Sequence, residues 1–147
     1  VDDGVLVDDL GRVQGQEEVF AAGDVARFPV EALGGMRRVE HEDHANTHGR
    51  IVGRNMAGVG EPYDHLPFFY SDLFDLGYEA VGDVDSRLAT TAEWAEPNRR
   101  GVVAYLDDAR KPRGFLLWDV WEKVDDARDL IRAGEPVDAG TLRGLLD

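Results

Sequence analysis

The chain has 147 residues, of which 43% are hydrophobic, enough for one sizeable core or two small lobes. It carries 30 acidic against 16 basic residues, a net charge of −14, and phosphate backbones repel such a surface, which disfavours nucleic-acid binding. It has no cysteine, which excludes a disulfide, thiolate catalysis and a thiolate metal site within these residues. No run of 18 apolar residues exists, so we expect no membrane-spanning segment and no membrane partner.

The acidic surplus comes with only two lysines, Lys111 and Lys123. A halophilic protein uses such a surface to stay soluble, and ordinary acidic solubility explains it equally. We expect a cytoplasmic protein, since no secretory signal is visible at the start. The chain begins at Val1 in the middle of a pattern, which we interpret as a piece of a longer protein.

Short strands are predicted at residues 5–7 and 19–22, followed by a loop over 28–35. The second strand ends in Gly23 and Asp24. Glycine lets the backbone approach a ligand closely, and a carboxylate beyond the strand can accept hydrogen bonds from sugar-type hydroxyls. An ordinary exit from a strand into a turn uses the same residues, so this segment alone leaves both interpretations open.

A helix is predicted over residues 40–57, where Ala45, Gly49, Gly53 and Ala57 recur at every fourth position. This small-residue stripe has almost no side chain, so another backbone can lie against it. Each of the two glycines weakens the helix by about 1 kcal/mol relative to alanine. We therefore expect packing along the stripe to compensate that cost.

Three histidines, His41, His44 and His48, fall on roughly one face of this helix, and imidazole is a common metal ligand. The spacing is not the HExxH zinc signature, and a polar helix start explains the same residues. A third interpretation has the helix N-terminus facing a cofactor, with Glu40 and His41 on the cofactor side. We predict no metal site.

After residue 66 the pattern changes to strands, at 76–84 and 88–94, with a hairpin of 102–106 and 115–118. Helices are predicted near 124–133, with Gly134 as the stop, and near 141–146. The aromatic segment 68–72 suits either a core or stacking beside a flat ring system. We predict an α+β chain with two domains, 1–66 and 67–147, the first an incomplete α/β domain and the second an antiparallel sheet with helices.

Taken together, these segments resemble the C-terminal part of the apoptosis-inducing factor and ferredoxin-reductase-like flavoproteins, within the FAD-dependent pyridine nucleotide-disulfide oxidoreductase family. The similarity covers nearly the whole chain, in the order that the family has. The matching segments are 19–25, 37–45, 49–50, 55–58, 68–73, 77–82, 101–106, 114–118 and 127–131.

The resemblance implies that residues 1–66 are the end of an FAD-binding domain and that 67–147 are a C-terminal reductase domain of the dimerisation type. Asp24 would then bind the ribityl chain of FAD, with the backbone of Gly23 and Asp24 near the pyrophosphate. Glu40 and His41 would lie beside the isoalloxazine. Tyr70 stands where the family often has tryptophan next to the flavin. No residue of this chain is expected to be catalytic.

By the same resemblance, the full-length protein is an FAD-dependent NAD(P)H oxidoreductase that passes electrons to a small-molecule or protein acceptor. This chain alone would be inactive. The alternative is a non-catalytic C-terminal module used to form a homodimer or to dock a partner. Only a short link, 95–100, stands where animal apoptosis-inducing factors carry a long insertion, so we transfer no cell-death role.

Overall fold

The structure, a computed structural model, describes residues 3–147 of the chain. These form two compact units, one ending at Pro67 and the other running Phe68–Asp147, so the division lies one residue after the expected boundary. Each unit combines a sheet with helices, which confirms the predicted α+β class. Within the described residues, every helix is too short or too polar to cross a membrane.

The first unit contains a three-stranded sheet in the order β1-β2-β3, one α-helix and two short 3-10 turns. Strand β1 pairs with β2 in parallel, and β2 pairs with β3 in the antiparallel direction. The elements are β1 (Val5–Leu6), the turn Gly23–Val25, β2 (Ala26–Pro29), the turn Glu31–Leu33, β3 (Met36–Arg38) and α1 (Glu42–Met56).

The strand predicted over residues 19–22 is wrong, because only Phe20 in this stretch forms an isolated β-bridge. The paired strand is β2, which follows the turn. The loop predicted for 28–35 is therefore wrong at its start. In β2 the buried side chains Ala26 and Phe28 alternate with half-buried neighbours, the two-residue period of a strand with one covered face. The proline in β2 favoured the loop interpretation, although proline is tolerated at strand ends.

The predicted helix is confirmed as α1, with slightly shorter bounds. Glu42 and Asp43 occupy its first turn, where negative side chains stabilise the positive end of the helix dipole. The helix ends at Met56, and Gly58 follows with a φ of +89°. Glycine adopts this left-handed conformation without the steric cost that other residues incur.

The small-residue stripe of α1 does not receive a backbone along its whole length in the described residues. Ala45 lies against Gly23, 3.7 Å from the position that a β-carbon would take there. Gly49 and Gly53 are exposed, and their own β-carbon positions meet no atom within 4 Å. Beyond Ala45 the packing expectation is not met by the described residues, and it stays a prediction for the longer protein. The helix instead buries the adjacent face, formed by His44, His48, Val52 and Asn55.

The second unit is a five-stranded antiparallel sheet in the order β4-β5-β8-β7-β6, with two helices. The predicted hairpin is confirmed by the pairing of β7 with β8. The elements are β4 (Phe68–Leu73), β5 (Leu76–Gly82), β6 (Ala89–Glu96), β7 (Arg100–Leu106), β8 (Pro112–Trp118), α2 (Val124–Ala133) and α3 (Ala139–Leu146).

The core of the second unit lies between its sheet and its helices. Helix α2 packs on β5 and β8, and α3 packs on β6 and β7. Helix α2 ends at Gly134, which has the left-handed φ of +61° expected for a helix stop. Asp138 caps α3 by accepting a hydrogen bond from the Thr141 amide, 2.8 Å away. The fully buried side chains of β7 and β8 on this face are Val102, Ala104, Leu106, Phe115 and Leu117.

Candidate functional site

The turn Gly23–Val25 carries two of the predicted site residues. Gly23 is buried and has a φ of +70°, a conformation that glycine adopts readily. Its carbonyl accepts a hydrogen bond from the amide of Ala26, which leads directly into β2. Asp24 is exposed. The glycine is therefore required by the backbone conformation of the turn, and the acid after it is presented to solvent.

Helix α1 anchors this turn on one side. The Gly23 amide donates a hydrogen bond to Nδ1 of His48 over 3.3 Å. Ala45, one helical turn earlier, packs against the same glycine. The small side chain of Ala45 leaves room for the turn. The His48 imidazole accepts the hydrogen bond of the buried Gly23 N–H group, which would otherwise lack a partner.

Strand β3 anchors the turn on the other side through Arg38. The guanidinium donates from Nη1 to the backbone carbonyl of Asp24 over 2.9 Å and from Nε to Asp3 over 3.2 Å. It also forms an ion pair with Glu40. Hydrogen bonds to Glu40 and then to Asp3 raise the pKa of Arg38. The structure thus brings the backbone carbonyl of Asp24 and the carboxylate of Glu40 to the same guanidinium.

The Asp24 carboxylate is the group of this turn that a ligand can use. It is exposed and accepts no hydrogen bond within residues 3–147. The Gly23 amide, by contrast, is already bonded to His48. A free carboxylate on a backbone held at two points suits a hydroxyl-rich partner, because each hydroxyl can donate to the charged oxygens. The residues present therefore fit the ribityl chain of FAD.

His41 occupies the N-cap position of α1 and is half-buried. Its carbonyl accepts the first helical hydrogen bond, from the Ala45 amide at 2.9 Å. Glu40, directly before it, is exposed and paired with Arg38. Both residues thus lie at the positive end of α1, the end that stabilises negative charge. Their expected contact with an isoalloxazine ring stays a prediction.

The other two histidines of the predicted cluster are core residues. His44 and His48 are both 0% exposed, and they pack with Phe28 and Tyr63. Phe28 stacks on His44 with ring centroids 4.5 Å apart, and Tyr63 lies 4.4 Å from His48. Nδ1 of His44 is 2.8 Å from the Tyr63 hydroxyl. Among residues 3–147, no group of three or more His, Cys, Asp or Glu side chains could hold a metal ion.

Burial disfavours a positive charge on both core histidines. It lowers the pKa of His44, and together with the neighbouring His44 it lowers the pKa of His48 to about 4. Because Nδ1 of His48 accepts from an amide, the proton of this neutral imidazole is on Nε2. The Nε2 atoms of both histidines are buried without a hydrogen-bond partner in the described residues.

His65 lies in the loop after α1 and has a carboxylate partner. Its Nε2 lies 2.6 Å from a carboxylate oxygen of Asp43, which is in the first turn of α1. Both side chains are largely buried. The contact ties the loop after α1 back to the start of the helix.

Tyr70 belongs to the second unit, on the edge strand β4. It is 58% exposed, and its ring lies 6.5 Å from that of Phe68. Phe68 is half-buried, with the Arg128 guanidinium 5.5 Å from its ring centroid. The core interpretation therefore does not hold for Tyr70, which offers a free aromatic face. Stacking against a flat ring system stays a prediction.

The sequence does not predict the roles that Arg38 and His48 have in this site. Arg38 and Glu40 are two positions apart at the end of β3, a spacing that places both side chains on one side of an extended chain. That was an available signal. His48 follows His44 by four residues, which puts both on one helix face, but nothing in the spacing indicates that this face is buried.

The C-terminal family model of apoptosis-inducing factor, mitochondrion-associated, matches residues 52–100. Apoptosis-inducing factor 1 of Dictyostelium discoideum is 39% identical over 130 residues, covering 81% of this chain and 24% of that protein. Peroxisomal monodehydroascorbate reductase 1 of Oryza sativa is 45% identical over 138 residues, which cover 86% of this chain and 29% of that protein. The chain thus spans less than a third of the length of these relatives.

Solved structures show the same fold. Fdr9 matches with a TM-score of 0.80 and 27% identity over 97% of this chain and 37% of that one. The reductase in the covalent putidaredoxin reductase–putidaredoxin complex matches with a TM-score of 0.79 and 22% identity, over 100% of this chain and 34% of that one. Together with the relatives, these matches confirm the predicted resemblance to the C-terminal part of such flavoproteins.

Proposed function

Because the chain is related to the C-terminal part of the apoptosis-inducing factor and ferredoxin-reductase-like flavoproteins, we propose that it forms one side of an FAD site in a longer NAD(P)H oxidoreductase. The observation that supports this most is the turn Gly23–Val25, whose backbone is held by His48 and Arg38 while the Asp24 carboxylate is free. A site that binds a flexible cofactor gains affinity from such preorganisation.

Each residue would have its own task. Asp24 would accept hydrogen bonds from ribityl hydroxyls, with the backbone of Gly23 and Asp24 running near the pyrophosphate. Glu40 and His41 would line the isoalloxazine edge at the start of α1. For Tyr70 we propose stacking of its exposed aromatic face against a flat ring system. When bound, FAD supplies the redox chemistry, taking a hydride from NAD(P)H and passing electrons on. The protein binds and orients it.

The proposed electron acceptor is a small molecule or a protein. One relative is a monodehydroascorbate reductase, and one structural neighbour is bound to putidaredoxin, so each kind of partner has a precedent. The net charge of −14 argues against nucleic acid as a partner. A cytoplasmic location and a homodimer are further parts of the proposal, and no membrane partner is proposed.

Anaerobic reduction tests this function. We expect the purified full-length protein to carry FAD and its visible flavin absorbance to bleach on addition of NADH or NADPH. Free FAD at the same concentration is the control. We expect the chain on its own to hold little FAD and to show no turnover. A full-length protein whose flavin neither nucleotide reduces would support the non-catalytic docking or dimerisation module instead.

A further inference from the structure

We propose that His48 is a positioning residue for FAD: by accepting the hydrogen bond of the Gly23 amide, it fixes the turn that presents the Asp24 carboxylate. This inference rests on the proposed function and deepens it. His48 itself is buried, so its role toward the cofactor is through the turn and not through contact.

The His48 ring is held so that Nδ1 has one orientation. The ring of Tyr63 lies 4.4 Å from it, that of His44 4.9 Å and that of Phe28 5.3 Å, each measured between centroids. With no exposed surface and three aromatic neighbours, the side chain cannot swing away from the turn without opening the core. The acceptor is therefore as rigid as the helix that carries it.

The two anchors of the turn act on adjacent residues. His48 holds the amide of Gly23, and Arg38 holds the carbonyl of Asp24. Arg38 is on the solvent-exposed side of the unit and shares its donors with Asp3 and Glu40. His48 has no competing partner for Nδ1 among the described residues. If this acceptor is lost, the buried Gly23 amide has no hydrogen-bond partner. Rotation of the turn toward another acceptor then lowers the free energy. Asp24 would move with it.

A matched pair of variants isolates the acceptor. His48→Asn keeps an oxygen close to the position of Nδ1, whereas His48→Leu has similar bulk and no acceptor. Both variants lose the ring and its packing, so a difference between them reports the hydrogen bond. Circular dichroism and thermal unfolding establish that each variant is folded.

The experiment uses the full-length protein and two readouts, the Kd for FAD from flavin fluorescence and the exchange rate of the Gly23 amide without FAD. We expect His48→Leu to weaken FAD binding by about 5- to 150-fold, the range for leaving a buried amide unsatisfied. We expect His48→Asn to stay within about threefold of the wild type. The Gly23 amide should exchange slowly in the wild type and in His48→Asn, and fast in His48→Leu.

Equal losses of FAD affinity in the two variants would overturn the inference, as would a His48→Leu protein that binds FAD like the wild type. A wild type that binds no FAD would instead overturn the proposed function and this role in it, while amide exchange would still test the contact of His48 with Gly23. If the variants do not fold, the test is made on the wild type, by measuring the NMR scalar coupling across the N–H···N hydrogen bond. Its presence between Gly23 and His48 in the FAD-bound protein supports the inference, and its absence overturns it.

Discussion

Acidification from pH 7 to pH 4 is expected to remove roughly 3 kcal/mol from the unfolding free energy of the first unit through His48 alone. The pKa of His48 is about 4 in the folded protein, against an ordinary value of 6.5. The unfolded state therefore takes up the proton first as the pH falls. Stability is lost from pH 6.5 downward, and the loss is complete near pH 4. At pH 5 it amounts to roughly 2 kcal/mol.

Among the described residues, the groups that pack against His48 offer no compensation for a positive charge. The side chains that pack against it are His44, Tyr63 and Phe28, and the backbone group that faces it is the Gly23 amide, a donor. Burial lowers the pKa of His44, although the Gly23 backbone and the charges of Asp24 and Asp43 act in the opposite direction. Protonation of His48 also converts Nδ1 from acceptor to donor, which breaks the bond to Gly23.

Hydrogen exchange of the most protected amides of α1 measures this free energy within the first unit alone, after correction for the intrinsic pH dependence of exchange. The control is His48→Asn, which cannot take up a proton in this range. Between pH 7 and pH 5 the unfolding free energy of the wild type should fall by roughly 2 kcal/mol more than that of His48→Asn. Parallel pH profiles for the two proteins would show that His48 is not buried as a neutral imidazole.

Phe115→Ala is expected to destabilise the second unit by about 3–5 kcal/mol. Phe115 is 0% exposed in the middle of β8, where Val81 and Ala104 are its cross-strand neighbours. Helix α2 packs on the same pair of strands, β5 and β8. Truncation removes the ring and leaves a cavity that these elements cannot close. Since domains have only about 5–15 kcal/mol of stability, this is a large share.

Tryptophan fluorescence during urea unfolding is a selective probe, because the three tryptophans, Trp94, Trp118 and Trp121, all belong to the second unit. Phe74→Ala is the matched control. Phe74 is fully exposed in the turn between β4 and β5, so the same truncation should change stability by about 0.5 kcal/mol or less. Equal urea midpoints for the two variants would contradict the assigned core.

The parts of the fold that the sequence predicted well have a clear period. Helix α1 and the β7–β8 hairpin are examples, and Gly134 ends α2 as expected. The strand β2 was missed because its four residues give too short an alternation to outweigh a proline. The small-residue stripe of α1 is only partly covered in the described residues. Spacing shows which residues share a helix face but not which face is covered, and α1 covers the adjacent, partly polar one.

The candidate site was predicted at the level of single residues and not of contacts. Gly23, Asp24 and Glu40 were chosen for chemistry that the sequence displays directly. The spacing of Arg38 and Glu40 indicates that these two side chains can pair. The hydrogen bonds of Arg38 and His48 to the turn could not be predicted, because such bonds depend on tertiary structure. Histidine patterns are also ambiguous, since a neutral imidazole packs like an aromatic ring once it is buried. His48 accordingly suggested a metal ligand and proved to be a core acceptor.

The most direct test of the central claim is the affinity of the full-length protein for FAD when Asp24 is truncated. We expect Asp24→Ala to raise the Kd about tenfold or more, because hydrogen bonds to a charged group contribute roughly 1.5–3 kcal/mol. Asp108→Ala, at an exposed turn of the second unit, is the matched control and should leave the Kd unchanged. An Asp24→Ala protein that binds FAD as tightly as the Asp108→Ala protein would contradict the account.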